Sequence, residues 1–181
     1  MNVNTSMSTR KNAYVTGCNA ITNTPGFRRW FGDSKVVDAE GKPLVVYHGT
    51  AIPKTAFRRE GGASGVGAYF TPHRSVAEDY AENDVMEDGD TPEVMEVYLS
   101  IQNPYRMRGM DSYSITPERR DEIEARGHDG VINEDNGEIV AFRPEQIKIV
   151  TSNRIKQDRL PALPSDTDES TPGIAPRPEM N

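Results

Sequence analysis

The chain has 181 residues, which fits one domain of ordinary size with room for flexible ends. Its 21 Lys and Arg residues stand against 28 Asp and Glu residues, a net charge of −7, and only 35% of the residues are hydrophobic. This balance argues against broad binding to nucleic acids or anionic membranes, because no excess positive charge is available to replace phosphate counterions. The single cysteine, Cys18, excludes an internal disulfide framework and a cysteine-rich zinc site.

Composition divides the chain into three parts. Residues 1–21 are rich in Asn, Ser and Thr without a sustained period, and we expect them to be flexible. Residues 153–181 combine five prolines with acidic and small polar residues, and cannot bury enough apolar surface to offset the entropy of ordering. One folded domain is therefore predicted at residues 22–152. The apolar runs are too short to span a bilayer and no signal peptide is recognisable, so we expect a cytoplasmic protein without a membrane partner.

Cap and turn residues predict short helices. Thr24-Pro25 is typical of a helix start, and Gly32 of its end. The same pair recurs at Thr71-Pro72 and Thr116-Pro117, which predicts two further helices. The helix after Pro72 would carry its apolar residues on one face, namely Val76, Ala77, Tyr80 and Ala81.

Strands are predicted where β-branched and aromatic residues run between turn signals. These segments are residues 36–37, 44–48, 65–70, 94–101, 130–132, 138–142 and 146–150. Many short strands with a few short helices, and no regular alternation of strand and helix, indicate a mixed α+β fold.

Two features offer groups for a flat ligand. His48 is followed by Gly49 and Thr50 at a strand end, so an imidazole and an approachable backbone lie together. Tyr69 and Tyr80 can bracket a planar ring if the intervening helix packs back on its strand. Taken alone, each feature is explained better by ordinary structure, a turn histidine and two core aromatics.

A third feature is Glu138, which precedes an apolar strand. Alternation places it on the face of Val140 and Phe142, where a buried carboxylate would be significant for chemistry. An exposed glutamate at the strand start is an equal alternative. Glu145 is the competing acid, and we expect it to be solvated because it lies beyond a proline.

A fourth feature is the Phe57-Arg58-Arg59 segment before a glycine-rich stretch. Arg58 can reach a phosphate, but the spacing fits no phosphate-loop pattern, and a solvated connection is favoured when the segment is taken alone. His73 and His128 lie far from other residues at ligand spacing, so no metal site is predicted.

In their order along the chain, these motifs resemble the His–Tyr–Glu class of ADP-ribosyltransferases, which includes diphtheria-type toxins and poly(ADP-ribose) polymerases. The resemblance is closest to the transferase domain of phage and prophage polyvalent proteins, and covers roughly residues 25–150. The stretches that carry it are FRRWFGDSKVVD at 27–38, GKPLVVYHGT at 41–50, GAYFT at 67–71, VYL at 97–99, DGVI at 129–132 and QIK at 146–148.

The resemblance implies a split β-sandwich with a cleft for NAD, and it implies roles for single residues. His48 matches the histidine that hydrogen-bonds a ribose hydroxyl, and Gly49 the glycine whose backbone holds the nicotinamide carboxamide. Tyr69 matches the tyrosine of the triad, and Tyr80 the tyrosine that stacks on nicotinamide. Glu138 matches the catalytic glutamate.

Two departures from the family pattern bear on binding. The polymerases have a carboxamide-binding serine where this chain has Ala77, and Thr50 or Ser75 is expected to replace that contact. Arginine-specific transferases have an acid or glutamine where this chain has Asn136, so an arginine acceptor is disfavoured. Arg58 is the residue expected to reach the pyrophosphate.

The resemblance implies a mono-ADP-ribosyltransferase that uses NAD as substrate, releases nicotinamide and serves as a phage or prophage effector. The expected partners are NAD and a macromolecular acceptor, with a protein favoured over a nucleic acid. The expected location is the host cytoplasm, with delivery in the virion as an alternative. Two other functions stay open, an NAD glycohydrolase and a non-catalytic NAD-binding or virion-associated module.

Overall fold

The computed structural model describes residues 21–52, 56–60, 65–85, 90–109 and 114–154, and gives only the backbone for residues 151–154. Apart from their innermost residues, the two predicted flexible ends at 1–21 and 153–181 lie outside these ranges. No helix within them is long and apolar enough to cross a membrane.

The first helix, α1, spans Pro25–Phe31 and confirms the cap prediction. The side chain of Thr24 accepts a hydrogen bond from the amide of Phe27 at 3.2 Å. Gly32, with φ of 54°, ends the helix by donating its amide to the carbonyl of Arg28. Phe27 and Phe31 are buried and pack with Tyr98, so α1 covers the outer side of the strand that carries Tyr98.

The first sheet has three antiparallel strands in the order β1-β3-β7. Strand β1 spans Val46–Thr50, β3 spans Glu93–Leu99 and β7 spans Ile147–Arg154. The predicted strand at 36–37 reduces to a single bridge between Val37 and Pro43.

The second sheet has four strands in the order β2-β6-β5-β4. Strand β2 spans Ala68–Phe70, β4 spans Tyr105–Met107, β5 spans Gly130–Asn133 and β6 spans Ile139–Ala141. Strand β4 pairs in parallel with β5, whereas the other pairs are antiparallel. The sequence did not predict β4, because three residues with a polar centre give no periodic signal.

A shared apolar core lies between the two sheets. It contains Val36, Val46, Ala68, Phe70, Met95, Val97, Leu99, Ile101, Ile139 and Ala141. Strands from both sheets contribute inward-facing residues, as in a β-sandwich. The mixed α+β fold predicted from the sequence is confirmed.

Two helices follow strands and pack on the sheets. Helix α2 spans Arg74–Asn83 and contacts β1 and β3. Helix α3 spans Pro117–Ala125, is capped by Thr116 as predicted, and contributes Ile123 to a second core cluster. That cluster contains Val66, Met107, Ile115, Ile123, Val131, Val140 and Phe142, so α3 covers the second sheet on the side away from the shared core.

The predicted start of α2 is wrong by two residues. The helix begins at Arg74 with His73 as its N-cap residue, whereas Thr71-Pro72 was predicted to open it. The reason is that the backbone of Thr71 pairs with Tyr47 of β1 and is held extended. The side chain of Thr71 instead accepts a hydrogen bond from the amide of His73 at 3.1 Å.

Glu124 on α3 joins three parts of the chain. Its carboxylate accepts hydrogen bonds from the guanidinium of Arg59, one of them at 3.1 Å, and from Arg143 at 3.0 Å. The hydrogen bonds from Arg59, and then those from Arg143, hold the pKa of Glu124 below its ordinary value against the effect of burial. The loop with Phe57 and Arg58 is therefore anchored to α3 and to the end of β6.

Glu124→Gln is expected to lower the free energy of unfolding by about 1–2 kcal/mol at neutral pH, since charged hydrogen bonds are lost. The loss stays in this range because Arg143 is exposed and water partly screens its charge. Because the folded pKa is lowered, this stabilisation is present above the unfolded pKa and disappears as pH falls through the folded pKa. Urea denaturation across this pH range measures both effects.

The matched control is Glu122→Gln on the same helix, where the carboxylate is exposed and, among the residues the structure describes, pairs with Arg119 alone, at 2.7 Å. Its effect should stay within about 0.5 kcal/mol, as for exposed ion pairs. Equal losses for both variants would show that Glu124 is not the anchor.

Candidate active site

Strands β1, β2 and β6 run side by side where the two sheets meet. Tyr47 and Thr71 exchange two backbone hydrogen bonds of 2.8 and 2.9 Å, which join β1 to the end of β2. On the other side of β2, Phe70 pairs with Ile139 of β6. One further step of this antiparallel register places Glu138 opposite Thr71.

Alternation then assigns the side chains to faces. Ala68, Phe70 and Ile139 point into the shared core, whereas Tyr69 packs with Val140 in the second cluster. Glu138 has the parity of Val140, so its side chain lies on the face of Tyr69. The bridge between Tyr47 and Thr71 extends this face onto β1, where it includes Gly49. We call the shared face of Gly49, Tyr69 and Glu138 the seam face.

Helices cover the two ends of the seam face. Helix α2 packs directly on β1, and the guanidinium of Arg74 lies 5.9 Å from the ring centre of Tyr47. Helix α3 packs on the second cluster through Ile123. Tyr69, which is half-buried, and Glu138 therefore lie between the regions that the two helices cover.

His48 joins this group through a backbone contact. Its Nδ1 lies 2.8 Å from the carbonyl oxygen of Tyr69. A carbonyl can only accept, so Nδ1 carries the proton, and in the neutral form of this tautomer the lone pair lies at Nε2. The ring lies on the core side of its strand, edge-on to Phe57 at 5.1 Å and 5.6 Å from Phe70. The imidazole and the Tyr69 side chain thus leave the backbone on opposite faces.

Glu138 is buried, with 8% of its surface exposed. Its amide donates to Oδ1 of Asn136 at 2.9 Å, and its carbonyl accepts from the amide of Asn133 at 2.8 Å. Of the two alternatives from the sequence, the buried one is correct. Glu145 is exposed as expected, and its carbonyl accepts a hydrogen bond from the indole of Trp30.

Gly49 and Thr50 have structural partners of their own. A Cβ at Gly49 would lie 1.9 Å from the carbonyl oxygen of Ala77, so only glycine lets α2 pack this closely on β1. Thr50 is 2% exposed, and its hydroxyl donates to the carbonyl of Ile52 at 2.9 Å. No contact in the described structure places the hydroxyl of Thr50 on the seam face.

Tyr80 and Arg58 both lie at the surface. Tyr80 projects from α2 and is 45% exposed. Of the four residues predicted to form the apolar face of this helix, Ala77 and Ala81 are buried, whereas Val76 and Tyr80 are exposed. Arg58 is exposed and belongs to none of the ion pairs formed within the described ranges. This separates it from Arg59, which pairs with Glu124.

Three residues at the site were missed as contributors by the sequence analysis. Phe57 packs against the ring of His48. Gly67 approaches β6 so closely that a Cβ would lie 2.3 Å from the carbonyl of Ala141. Asn136 binds the amide of Glu138. Only Asn136 had a local signal, since Asn-Gly pairs are typical of turns whose side chains bond the backbone two residues on.

A separate groove of about 590 Å³ lies beside α1. Its wall includes Phe27, Phe31 and Tyr98, with Arg28 and Lys42 at its edge. None of the candidate site residues lines it. Within the described ranges, no three His, Cys, Asp or Glu residues are grouped so as to hold a metal ion.

A comparison with known protein families shows to which family this chain belongs. The family model for ADP-ribosyltransferases in polyvalent proteins matches residues 38–157. The chain belongs to this family of ADP-ribosyltransferases. The match starts after α1, so residues 27–37, which the sequence analysis included in the resemblance to this family, lie outside it. The comparison with curated proteins found no match.

Membership accounts for the fold and for the general activity. Enzymes of this kind use NAD as substrate, and the seam face offers a glycine backbone, an aromatic ring and a carboxylate next to one another. These group types fit nicotinamide and ribose, since a planar ring stacks on tyrosine and a ribose hydroxyl donates to a carboxylate. We therefore take the seam face as the candidate active site, and His48 is linked to it through the hydrogen bond of its ring to the Tyr69 carbonyl.

Gly49→Ala is expected to destabilise the protein by about 1–3 kcal/mol, because the added methyl group forces α2 away from β1. Denaturant midpoints measure the loss. The matched control is Gly26→Ala in α1, where nothing lies within 4 Å of the added Cβ and no loss is expected. A Gly49 variant as stable as the wild type would contradict the close packing of α2 on β1.

Proposed function

We propose that this ADP-ribosyltransferase transfers one ADP-ribose from NAD to a macromolecular acceptor and releases nicotinamide. The observation that carries the proposal is the shared face of Tyr69 and Glu138 beside Gly49, with His48 hydrogen-bonded to the Tyr69 backbone. A tyrosine and a buried carboxylate on one face, next to the backbone of a glycine, suit a ligand that joins an aromatic ring to a sugar.

In the proposed complex, nicotinamide stacks on Tyr69 and its carboxamide binds the backbone of Gly49. Tyr80 lies on α2, the helix packed against Gly49, and closes the other side of the ring. Stacking and backbone hydrogen bonds restrict the motion of the leaving ring and so favour a reactive geometry. The Nε2 atom of His48 is assigned to a ribose hydroxyl, with the proton on Nδ1. Because the His48 ring leaves its strand on the face opposite Tyr69, the ribose in this complex reaches past the edge between β1 and β2 to meet it.

Glu138 is proposed to stabilise the reacting sugar. When the bond between ribose C1 and nicotinamide breaks, the electron pair leaves with nicotinamide and positive charge develops on the ribose, as in glycoside hydrolysis. A carboxylate fixed beside that charge in a buried position contributes about 3–4 kcal/mol to transition-state stability. The acceptor nucleophile then bonds to C1, and its proton passes to Glu138.

The remaining groups of NAD and the acceptor are assigned by charge and chemistry. Arg58 is exposed and outside the ion pairs of the described ranges, so its guanidinium is the one we assign to the pyrophosphate. The net charge of −7 favours a protein acceptor over a nucleic acid. Asn136 stands where arginine-specific transferases have an acid or glutamine, which favours acceptors other than arginine. We propose action in the cytoplasm of a host cell, as a phage or prophage effector.

Glu138→Gln is expected to reduce nicotinamide release by two or more orders of magnitude, because the isosteric amide removes the charge that stabilises the transition state. The Kd for NAD should change little, since the side chain keeps its shape and an accepting oxygen. Steady-state kinetics and calorimetric binding of NAD measure the two effects. Glu145→Gln, an exposed control, should behave as wild type. Normal turnover by the Glu138 variant would refute its role.

Incubation with NAD labelled in the adenylate moiety, together with cell lysate, is expected to leave label on protein. Only group transfer retains label on a macromolecule, whereas a glycohydrolase passes the ribosyl group to water. Gel electrophoresis and mass spectrometry locate the label, with the Glu138→Gln variant as the blank. Nicotinamide release without labelled macromolecule would favour the glycohydrolase, and no release would favour a non-catalytic module.

A further inference from the structure

The turn between β5 and β6 departs from a regular hairpin at Glu138. Asn133 donates its amide to the carbonyl of Glu138 at 2.8 Å, which makes these two residues a hydrogen-bonded pair. The reciprocal bond of such a pair would run from the amide of Glu138 to the carbonyl of Asn133. That carbonyl is taken by the amide of Gly137 at 2.9 Å.

Gly137 is able to intervene because its backbone is left-handed, with φ of 73°. The turn is also seated against the end of β2, where a Cβ at Gly137 would lie 3.0 Å from Pro72. Within the turn, Oδ1 of Asn133 accepts the amide of Asp135 at 3.0 Å. These hydrogen bonds fix the backbone before Glu138. They also occupy the carbonyl of Asn133, which would accept the Glu138 amide in a regular hairpin.

Asn136 supplies the acceptor. Its Oδ1 lies 2.9 Å from the amide nitrogen of Glu138, two residues further along the chain. This is the local side-chain-to-backbone bond that Asn, Asp and Ser form in turns. Both backbone groups of Glu138 are thus held, one by Asn133 and one by Asn136.

We propose that Asn136 is the positioning residue of Glu138, and that its side-chain oxygen fixes the direction in which the Glu138 carboxylate leaves the backbone. The proposal rests on the proposed function, in which that carboxylate faces the ribose. Glu138 is the first residue after the turn. A rotation of its backbone would therefore carry the carboxylate away from the seam face. Misplacement of a catalytic group by about 1 Å costs up to 100-fold in rate.

The experiment compares Asn136→Ala with two variants that keep a side-chain oxygen, Asn136→Ser and Asn136→Asp. Asp135→Asn is the control, because it alters the same turn and leaves Asn136 in place; its carboxylate accepts the amide of Gly109 instead. Hydrogen exchange of the Glu138 amide is followed by NMR without any ligand. Nicotinamide release gives kcat and KM for NAD, and thermal denaturation gives Tm.

For Asn136→Ala we expect the Glu138 amide to exchange at least about tenfold faster, because its acceptor is lost. We also expect kcat to fall about 10- to 100-fold while KM for NAD stays unchanged, since the carboxylate acts in the transition state. The Ser and Asp variants should restore slow exchange and keep kcat within about threefold of wild type. The control should match wild type in exchange, kcat and KM.

Slow exchange at Glu138 in the alanine variant would overturn the proposal, and so would an unchanged kcat despite fast exchange. Equal losses of kcat in the alanine, serine and aspartate variants would also overturn it, because rescue is what separates positioning from general stability. If wild-type protein releases no nicotinamide, the proposed function fails. In that case the exchange rates alone still decide whether Asn136 holds Glu138.

Discussion

The arrangement of the whole site depends on the backbone pairing of Tyr47 with Thr71. These two hydrogen bonds bring the end of β2 against β1 at the place where the sheets meet. This pairing makes His48 and Gly49 on one side neighbours of Tyr69 on the other, and the hydrogen bond of the His48 ring to the Tyr69 carbonyl adds a second link. Because Glu138 lies opposite Thr71 when the β2–β6 pairing is continued by one residue, the same contact brings its carboxylate close to these residues.

Glu138 places a carboxyl group in a buried position. Charged groups are costly to bury, and proteins retain them where binding or catalysis requires it. Glu138 lies between the part of the sheet covered by α2 and the part covered by α3, and its backbone is held on both sides. A site of this kind is preorganised, and in the proposed reaction the carboxylate would face the developing charge without reorganisation.

Local sequence signals predicted a large part of this structure. Thr-Pro pairs located the starts of α1 and α3. Alternation left burial and exposure of Glu138 as equal alternatives, and the structure has the buried one. The start of α2 was misplaced because a long-range backbone pair overrides the cap signal at Thr71. The contact of Phe57 with His48 and the closeness of Gly49 to Ala77 join distant segments, and no local pattern in the sequence indicates them.

Binding of NAD on the seam face is measured without turnover by NMR titration of the labelled protein with a non-cleavable NAD analogue. Saturating analogue is expected to shift the amide signals of Gly49, Tyr69 and Glu138, while those of Phe27, Lys42 and Tyr98 around the separate groove stay in place. Shifts confined to the groove, with the seam face unaffected, would contradict binding on the seam face.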